Sequence, residues 1–193
     1  MNYPEYTEIN GKKYKINTDF RYAIECNRIA EDYTIGDFER SLAIIYTLFG
    51  EEGINTPSDY EKLLQMAQKY LLCGEEKIID NENKKDMDYI KDMPYIEASF
   101  MSDYHIDLEK EQMHWWKFSR LINGLSNSEL GNCCILNTIR NIRNTDLREI
   151  KDSKTREKIR KAQKEFALDK KPKKVATEKE LKSAQEFYNK LKI

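Results

Sequence analysis

Residues 56–74, TPSDYEKLLQMAQKYLLCG, carry the clearest helix signal of the chain. Thr56 can cap a helix, Pro57 suits its first position, and Asp59 lies three residues after the cap, where an acid is favoured. Apolar side chains then recur every three or four residues, as on one face of an α-helix, at Tyr60, Leu63, Leu64, Ala67, Tyr70 and Leu71. Gly74 follows as a stop signal. The stretch therefore predicts an amphipathic helix.

The same apolar period recurs along most of the 193 residues. Each further helix is predicted after a capping residue, a proline or a glycine, which are ordinary helix boundaries. These helices are expected to begin after Asp19, after Gly36, at Pro94, at Glu109, at the capping box Ser126-x-x-Glu129, after the capping residues Asp152 and Ser153, and after Thr177. The helix after Gly36 should end at Gly50, and the helix from Glu109 should end at Asn123. The helix after Ser126 should include Cys133 and Cys134. With only seven glycines and four prolines, the composition favours helices over a turn-rich β fold.

The N-terminus departs from the helical pattern. Residues 6–16 form two short runs around Asn10-Gly11. This dipeptide accepts the positive φ angles of a type I′ turn, so we predict a small β-hairpin there. A lone hairpin is marginal in water, and it should therefore lie against the helices.

We thus predict a mostly α-helical fold in two parts. Residues 1–168 should form a compact helical domain with the hairpin at its start and an exposed, charged loop at about 75–91. Residues 169–193 should form a flexible basic linker and a short terminal helix. Net charge is −10 over residues 1–136 and +9 over 137–193. This split implies a basic C-terminal surface that faces either the acidic body of the chain or an acidic partner.

Several classes of protein are disfavoured by the sequence. No apolar run approaches the roughly 20 residues of a membrane span, and the N-terminus does not resemble a signal peptide. The four cysteines form no C-x-x-C pair, which favours free thiols in a reducing cytoplasm. His105 and His114 would lie on opposite sides of a continuous helix, and no phosphate-binding or nucleophile motif is present. We therefore expect no catalytic residues, no metal, no cofactor and no enzymatic activity.

Nucleic-acid binding is the weaker explanation of the basic C-terminal region. Lysines and arginines between residues 140 and 174 would attract phosphates. Acidic residues are interspersed among them, however, and almost no aromatic side chain is available there for base stacking. A solvated helix face is the preferred interpretation, and nucleic acid is not expected as a partner.

Residues 113–118, MHWWKF, concentrate aromatic side chains on a predicted helix. Trp115, Trp116 and Phe118 cannot all face inward from such close positions, so at least one is a candidate to contact a partner protein. The alternative is that these rings simply fill the core. Tyr104, which precedes this stretch, is a fourth candidate for partner binding.

Six short stretches together resemble one protein family. They are INGK (9–12), INTDF (16–20), YHIDL (104–108), MHWWKF (113–118), LINGL (121–125) and IRNIRNTDL (139–147), the last followed by a basic helix ending at Leu168. In this order they are similar to the bacteriophage "gene product fifteen" family, encoded in the tail modules of long-tailed phages and prophages. The double-tryptophan stretch is the most specific part. The region around 137–140 is less aromatic than the family pattern, and residues after 169 lie outside the resemblance.

The resemblance implies a role in tail assembly. Genes of this family typically lie between the tail-tube and tape-measure genes, where many phages encode tail-assembly chaperones. The implied function is a non-enzymatic chaperone that binds the tape-measure protein in the bacterial cytoplasm until tail-tube protein replaces it, with homo-oligomers as an option. Two alternatives are a structural component of the finished tail and a nucleic-acid-associated phage regulator using the basic region.

Overall fold

The computed structural model describes residues 3–75, 85–127 and 133–168. Its described part confirms a mostly α-helical fold with an N-terminal hairpin. The helices are α1 (Phe20–Ala30), α2 (Asp37–Ile54), α3 (Tyr60–Leu71), α4 (Met93–Tyr104), α5 (Trp115–Asn123), α6 (Ile135–Asn144) and α7 (Ser153–Glu165). The predicted linker and terminal helix of residues 169–193 lie outside the described residues, as does most of the predicted loop at 75–91.

Internal contacts group the described residues into two compact units. Unit 1 contains residues 3–75 and 113–116, with the hairpin and helices α1 to α3. Unit 2 contains residues 85–112, 117–127 and 133–168, with α4, α6, α7 and most of α5. The prediction of one domain over residues 1–168 stays a prediction.

The hairpin of unit 1 has the predicted turn. Strands β1 (Tyr6–Ile9) and β2 (Lys12–Lys15) pair antiparallel, with Ile9 opposite Lys12. Asn10 and Gly11 both have positive φ angles, 52° and 79°, as a type I′ turn requires. Ile9 and Tyr14 turn inward and are buried, so one face of the hairpin belongs to the core of unit 1.

Helices α1 and α2 of unit 1 pack against each other. The predicted cap is confirmed, because the Asp19 carboxylate accepts a hydrogen bond from the Arg21 backbone N–H at 3.0 Å. The predicted break at Gly50 is confirmed, because Gly50 leaves the helical conformation, with φ 65° and ψ −158°. Helical structure resumes after this kink, and α2 as a whole runs to Ile54. Only glycine adopts this conformation readily, so the kink depends on the missing side chain.

Replacing Gly50 by Ala should lower the free energy of unfolding by about 1–3 kcal/mol, the usual cost of a strained backbone conformation. A Cβ at this position would meet nothing within 4 Å, so the cost would be conformational and not steric. Gly36→Ala is the matched control, because its φ of −67° suits any residue and the added Cβ would meet only the flexible end of Glu39. Urea unfolding of both variants tests this, and equal losses would contradict it.

Helical structure begins at Pro57, as predicted, but the predicted cap from Thr56 is not formed. Pro57–Asp59 forms a 3₁₀ turn immediately before α3, and the Thr56 side chain makes no capping bond to it. The Asp59 carboxylate is buried and accepts hydrogen bonds from the Tyr14 hydroxyl at 2.6 Å and the Asn10 amide at 2.9 Å. Asp59 was expected to stabilise the start of its own helix, but its carboxylate instead binds the hairpin to the start of α3.

This contact should make the hairpin's attachment sensitive to pH. The hydrogen bond from Tyr14 lowers the pKa of Asp59 below its ordinary value of 3.8, with burial opposing and Asn10 assisting. A lowered folded-state pKa stabilises the fold fully above the ordinary value, and this stabilisation is lost as the pH falls through the folded-state value. Asp59→Asn should therefore lower the urea midpoint at pH 7, and the gap to wild type should narrow below pH 3.8.

The exposed acid Glu61, in the first turn of α3, provides the control for that experiment. Glu61→Gln should leave the urea midpoint near that of wild type, because its carboxylate makes no hydrogen bond or ion pair with any of the described residues. A gap between Asp59→Asn and wild type that stays constant down to pH 2.5 would refute the role given to the Asp59 carboxylate.

The predicted helix from Glu109 to Asn123 is wrong in its first half, because α5 begins only at Trp115. Residues 113–115 instead pair with residues 18–20: the Phe20 N–H donates to the Met113 carbonyl and the Trp115 N–H to the Thr18 carbonyl, both at 2.8 Å. Backbone pairing with a distant segment overrides the local apolar period here. The predicted end of the helix at Asn123, immediately before Gly124, is confirmed.

Unit 2 is built on α4 and α6, which pack together, with α7 against α6. The expected inclusion of Cys133 and Cys134 in a helix is wrong, because α6 begins at Ile135. Cys134 caps this helix, and its Sγ accepts from the Asn137 N–H at 3.4 Å. Glu129, the second half of the predicted capping box, lies outside the described residues. The predicted cap of α7 is confirmed, since the Asp152 carboxylate accepts from the Thr155 N–H at 2.6 Å.

A buried ion pair joins the helices of unit 2. Arg143 in α6 and Asp92 just before α4 form two parallel hydrogen bonds of 2.7 Å each, with side chains 5% and 0% exposed. Arg143 also donates to the carbonyls of Asp86, at 2.8 Å, and Phe166, at 2.7 Å. The guanidinium therefore fixes the approach to α4 and the end of α7 onto α6. The sequence offered no direct signal for this pair.

Candidate partner-binding residues

The two adjacent tryptophans have different environments within unit 1. Trp115 is 3% exposed, and its indole N–H donates to the Leu71 carbonyl at 3.0 Å. Trp116 is half-buried, and its indole N–H donates to the Tyr70 carbonyl at 2.9 Å. Both rings therefore donate to carbonyls in the last turn of α3, where the helix has no further N–H groups of its own to supply. The Tyr70 carbonyl also accepts from the Cys73 N–H at 3.0 Å. Trp115 belongs to the core, whereas part of Trp116 reaches the surface.

His114 joins Trp116 in an aromatic group of unit 1. Its ring stacks on Tyr3 at 4.8 Å and meets the edges of Tyr70 and Trp116 at 5.8 and 6.3 Å between centroids. Its Nδ1 accepts from the Trp116 backbone N–H at 3.0 Å, so Nε2 carries the proton and donates to the Pro4 carbonyl at 3.1 Å. Both ring nitrogens thus serve structure, and His114 caps the start of α5.

The other two candidates lie in unit 2. Phe118 is fully buried and stacks on Phe100 at 5.2 Å between centroids. Tyr104 is half-buried, with its ring edge on Phe100 at 5.7 Å and its hydroxyl donating to the Leu121 carbonyl at 2.9 Å. Burial, followed by the charge of Asp103, raises the pKa of Tyr104, which keeps the hydroxyl a donor.

Of the four candidates, Trp116 and Tyr104 are thus accessible to a partner at the surface of their own units. Trp115 and Phe118 fill interiors, so a partner would reach them only after local opening. Partner contact by any of the four stays a prediction.

Sequence reasoning missed the most exposed aromatic side chains of unit 1. Tyr46 in α2 is 55% exposed and Tyr22 in α1 is 45% exposed, and Tyr6 and Tyr33 also face solvent. Tyr46 lies four residues after half-buried Leu42, next to the apolar stripe of α2. An extra aromatic beside a stripe that already fills the core was the available signal. Such amphipathic rings are common anchors in protein interfaces.

Among the described residues, no group of three His, Cys, Asp or Glu side chains could hold a metal ion. All four cysteines are free thiols, and burial, assisted by the charge of Glu25, raises the pKa of Cys26 to about 12. No helix among residues 3–75, 85–127 and 133–168 is long and apolar enough to cross a membrane.

Fold and side-chain placement together define a mostly α-helical protein that exposes aromatic rings on unit 1 and a basic helix on unit 2. Residues 2–168 match the family model described as Bacteriophage Gp15 protein. The chain belongs to this bacteriophage protein family, which confirms the family indicated by the short stretches. Comparison with curated proteins and with solved structures found no match.

Proposed function

We propose that this phage protein is a tail-assembly chaperone that binds the tape-measure protein during tail morphogenesis in the host cytoplasm. The observation that carries the proposal is the family match over residues 2–168. The resemblance implies a gene placed between the tail-tube and tape-measure genes, where phages commonly encode such chaperones. The protein acts by binding alone, and tail-tube protein displaces it.

The surface chemistry of unit 1 supports this role. A tape-measure protein is a long helical chain, and its exposed apolar helix faces would aggregate unless another protein covered them. Tyr22 and Tyr46 place amphipathic rings on the solvent side of α1 and α2. Half-buried Trp116 offers a third ring in the same unit. These side chains can cover apolar helix surface while their polar groups remain in contact with water.

Co-expression with the tape-measure protein encoded in the same genome tests the proposal. Wild-type chain should keep the tape-measure protein soluble and co-purify with it. The double variant Tyr22→Ala, Tyr46→Ala should fold, because both side chains are largely exposed, and should capture less tape-measure protein. The double variant Lys13→Ala, Lys15→Ala, which truncates two exposed side chains of the hairpin that are not aromatic, serves as control and should capture it normally. A tape-measure protein that stays insoluble with wild-type chain would refute the proposal.

The basic helix α7 favours one second candidate, a nucleic-acid-associated regulator. None of its side chains is buried, and it carries six basic and two acidic residues. A regulator would bind duplex DNA with an affinity that falls steeply as salt rises. Titration of the full chain with DNA at several salt concentrations separates this candidate from the chaperone, which should show no such binding.

A further inference from the structure

Four lysines on the solvent side of α7 have no ion-pair partner among the described residues. Lys154, Lys158 and Lys161 repeat at the i, i+4, i+7 spacing of one helix face, and Lys164 follows one turn later. All four are exposed. Arg160, by contrast, is paired with Glu157 at 3.0 Å. The helix carries a net charge of +4.

Positive charge exceeds negative charge along the lysine face, most clearly at Lys158. The positions three and four residues from Lys158 hold Lys154, Thr155, Lys161 and Ala162, so no acid offsets its charge at these spacings. Glu157 lies within such a spacing of both Lys154 and Lys161, but among the described residues it is paired with Arg160 instead. Like charges three and four residues apart repel one another. An acidic partner would relieve the repulsion around Lys158.

Helix α7 is held firmly enough to present this face. Gln163 donates to the carbonyls of Ile142 and Thr145 at 2.9 and 2.8 Å, and Arg143 donates to the Phe166 carbonyl at 2.7 Å. Phe166 also meets the ring of Tyr95 edge-on, with centroids 6.1 Å apart. These contacts use the side of α7 opposite to the lysines, so its inner side is fixed and its outer side is available.

We propose that this basic face of α7 (Lys154, Lys158, Lys161 and Lys164) binds an acidic α-helical segment of a protein partner. The first three lysines span about 10 Å along the axis, which matches carboxylates at i, i+4 and i+7 on a second helix. The site lies in unit 2, whereas the exposed tyrosines lie in unit 1. The proposal does not depend on which protein supplies the acidic helix. It therefore goes beyond the proposed function.

A protein helix fits this face better than nucleic acid does. Glu157 and Glu165 lie among the lysines and would repel phosphates, whereas a partner helix can place a lysine or arginine opposite each of them. The face also has no aromatic side chain on which a base could stack. Alternating charge of this kind selects a partner with the complementary pattern.

Fluorescence anisotropy on the full chain tests the proposal with two labelled probes. One is a helical peptide with glutamates at i, i+4 and i+7, and the other is a short DNA duplex. The triple variant Lys154→Glu, Lys158→Glu, Lys161→Glu should bind the peptide about tenfold more weakly than wild type, since each rim charge reversal turns attraction into repulsion. The control Lys13→Glu, Lys15→Glu, Lys69→Glu makes the same change in net charge on unit 1 and should bind like wild type.

A second triple variant, with alanine at positions 154, 158 and 161, guards against misfolding, because alanine favours the helix. It should also lose peptide affinity, though less than the glutamate variant. Unchanged peptide binding in both variants would overturn the proposal, as would absence of peptide binding to wild type. Tighter binding of the duplex than of the peptide would assign the face to nucleic acid. Salt-sensitive self-association of wild type that is lost in the variants would assign the face to a second copy of the chain. Either result would also overturn the proposal.

The outcome is independent of the tape-measure experiment. Should the glutamate variant still solubilise the tape-measure protein, the chaperone proposal would stand, and α7 would serve a different partner. Should wild type bind the acidic peptide but leave the tape-measure protein insoluble, the chaperone proposal would fail while the α7 site remained.

Discussion

Replacing Arg143 by Met should lower the free energy of unfolding by about 3–5 kcal/mol, the usual result of removing one member of a buried ion pair. The Asp92 carboxylate is fully buried, and without Arg143 its charge would keep only the hydrogen bond from the Asp88 N–H, at 2.9 Å, among those described. The carbonyls of Asp86 and Phe166 would lose a donor as well. Urea unfolding followed by circular dichroism measures the loss.

The exposed pair of Arg148 and Asp146 gives the matched control, because the Arg148 side chain is 91% exposed. Arg148→Met should leave the unfolding midpoint almost unchanged, since water replaces the lost contact. The double variant Asp92→Leu, Arg143→Met should recover part of the lost free energy of unfolding, because it also removes the buried Asp92 carboxylate that Arg143→Met leaves without its ion-pair partner. A double variant less stable than Arg143→Met alone would show that the cost does not come from an uncompensated buried carboxylate.

Replacing Trp115 by Ala should cost about 3–5 kcal/mol of stability, as expected for truncating a buried aromatic residue. The change empties a core position and removes the donor to the Leu71 carbonyl. Trp116→Ala should cost clearly less, because the ring is half-buried, and water can reach the Tyr70 carbonyl, which still accepts from the Cys73 N–H at 3.0 Å. Thermal unfolding of the two single variants compares these costs directly.

The second readout for this pair is capture of the tape-measure protein. Trp116→Ala should fold and capture less tape-measure protein. Trp115→Ala should also capture less, but only in proportion to the fraction of the variant that is unfolded. Equally large losses of stability in both variants would mean that the two tryptophans serve structure alone.

Features set by neighbouring residues were predictable from the sequence. Asn10-Gly11 specifies its turn, Asp19 and Asp152 cap the helices that follow them, and Pro57 marks the start of the 3₁₀ turn before α3, because each acts within a few residues. Gly50 was recognised as a break in α2, although the helix resumes after it. Local signals therefore determined the helical class and most boundaries.

Features set by distant residues were not predictable. The first half of the expected helix from Glu109 is replaced by pairing of residues 113–115 with residues 18–20, which no local period reveals. Asp59 bonds to Tyr14 instead of its own helix for the same reason. Among the candidate site residues, the sequence indicated that the rings of α5 would differ in burial. The assignment of Trp115 to the interior and Trp116 to the surface depends on where the end of α3 lies.

We propose that the protein binds the tape-measure protein only transiently, during assembly. The most direct test is the molar ratio of the two proteins, measured by quantitative mass spectrometry in assembly complexes isolated before tube polymerisation and in finished tails. We expect abundant chain beside the tape-measure protein in the early complexes and none in finished tails. The same ratio in both fractions would make it a structural component of the tail and contradict the claim.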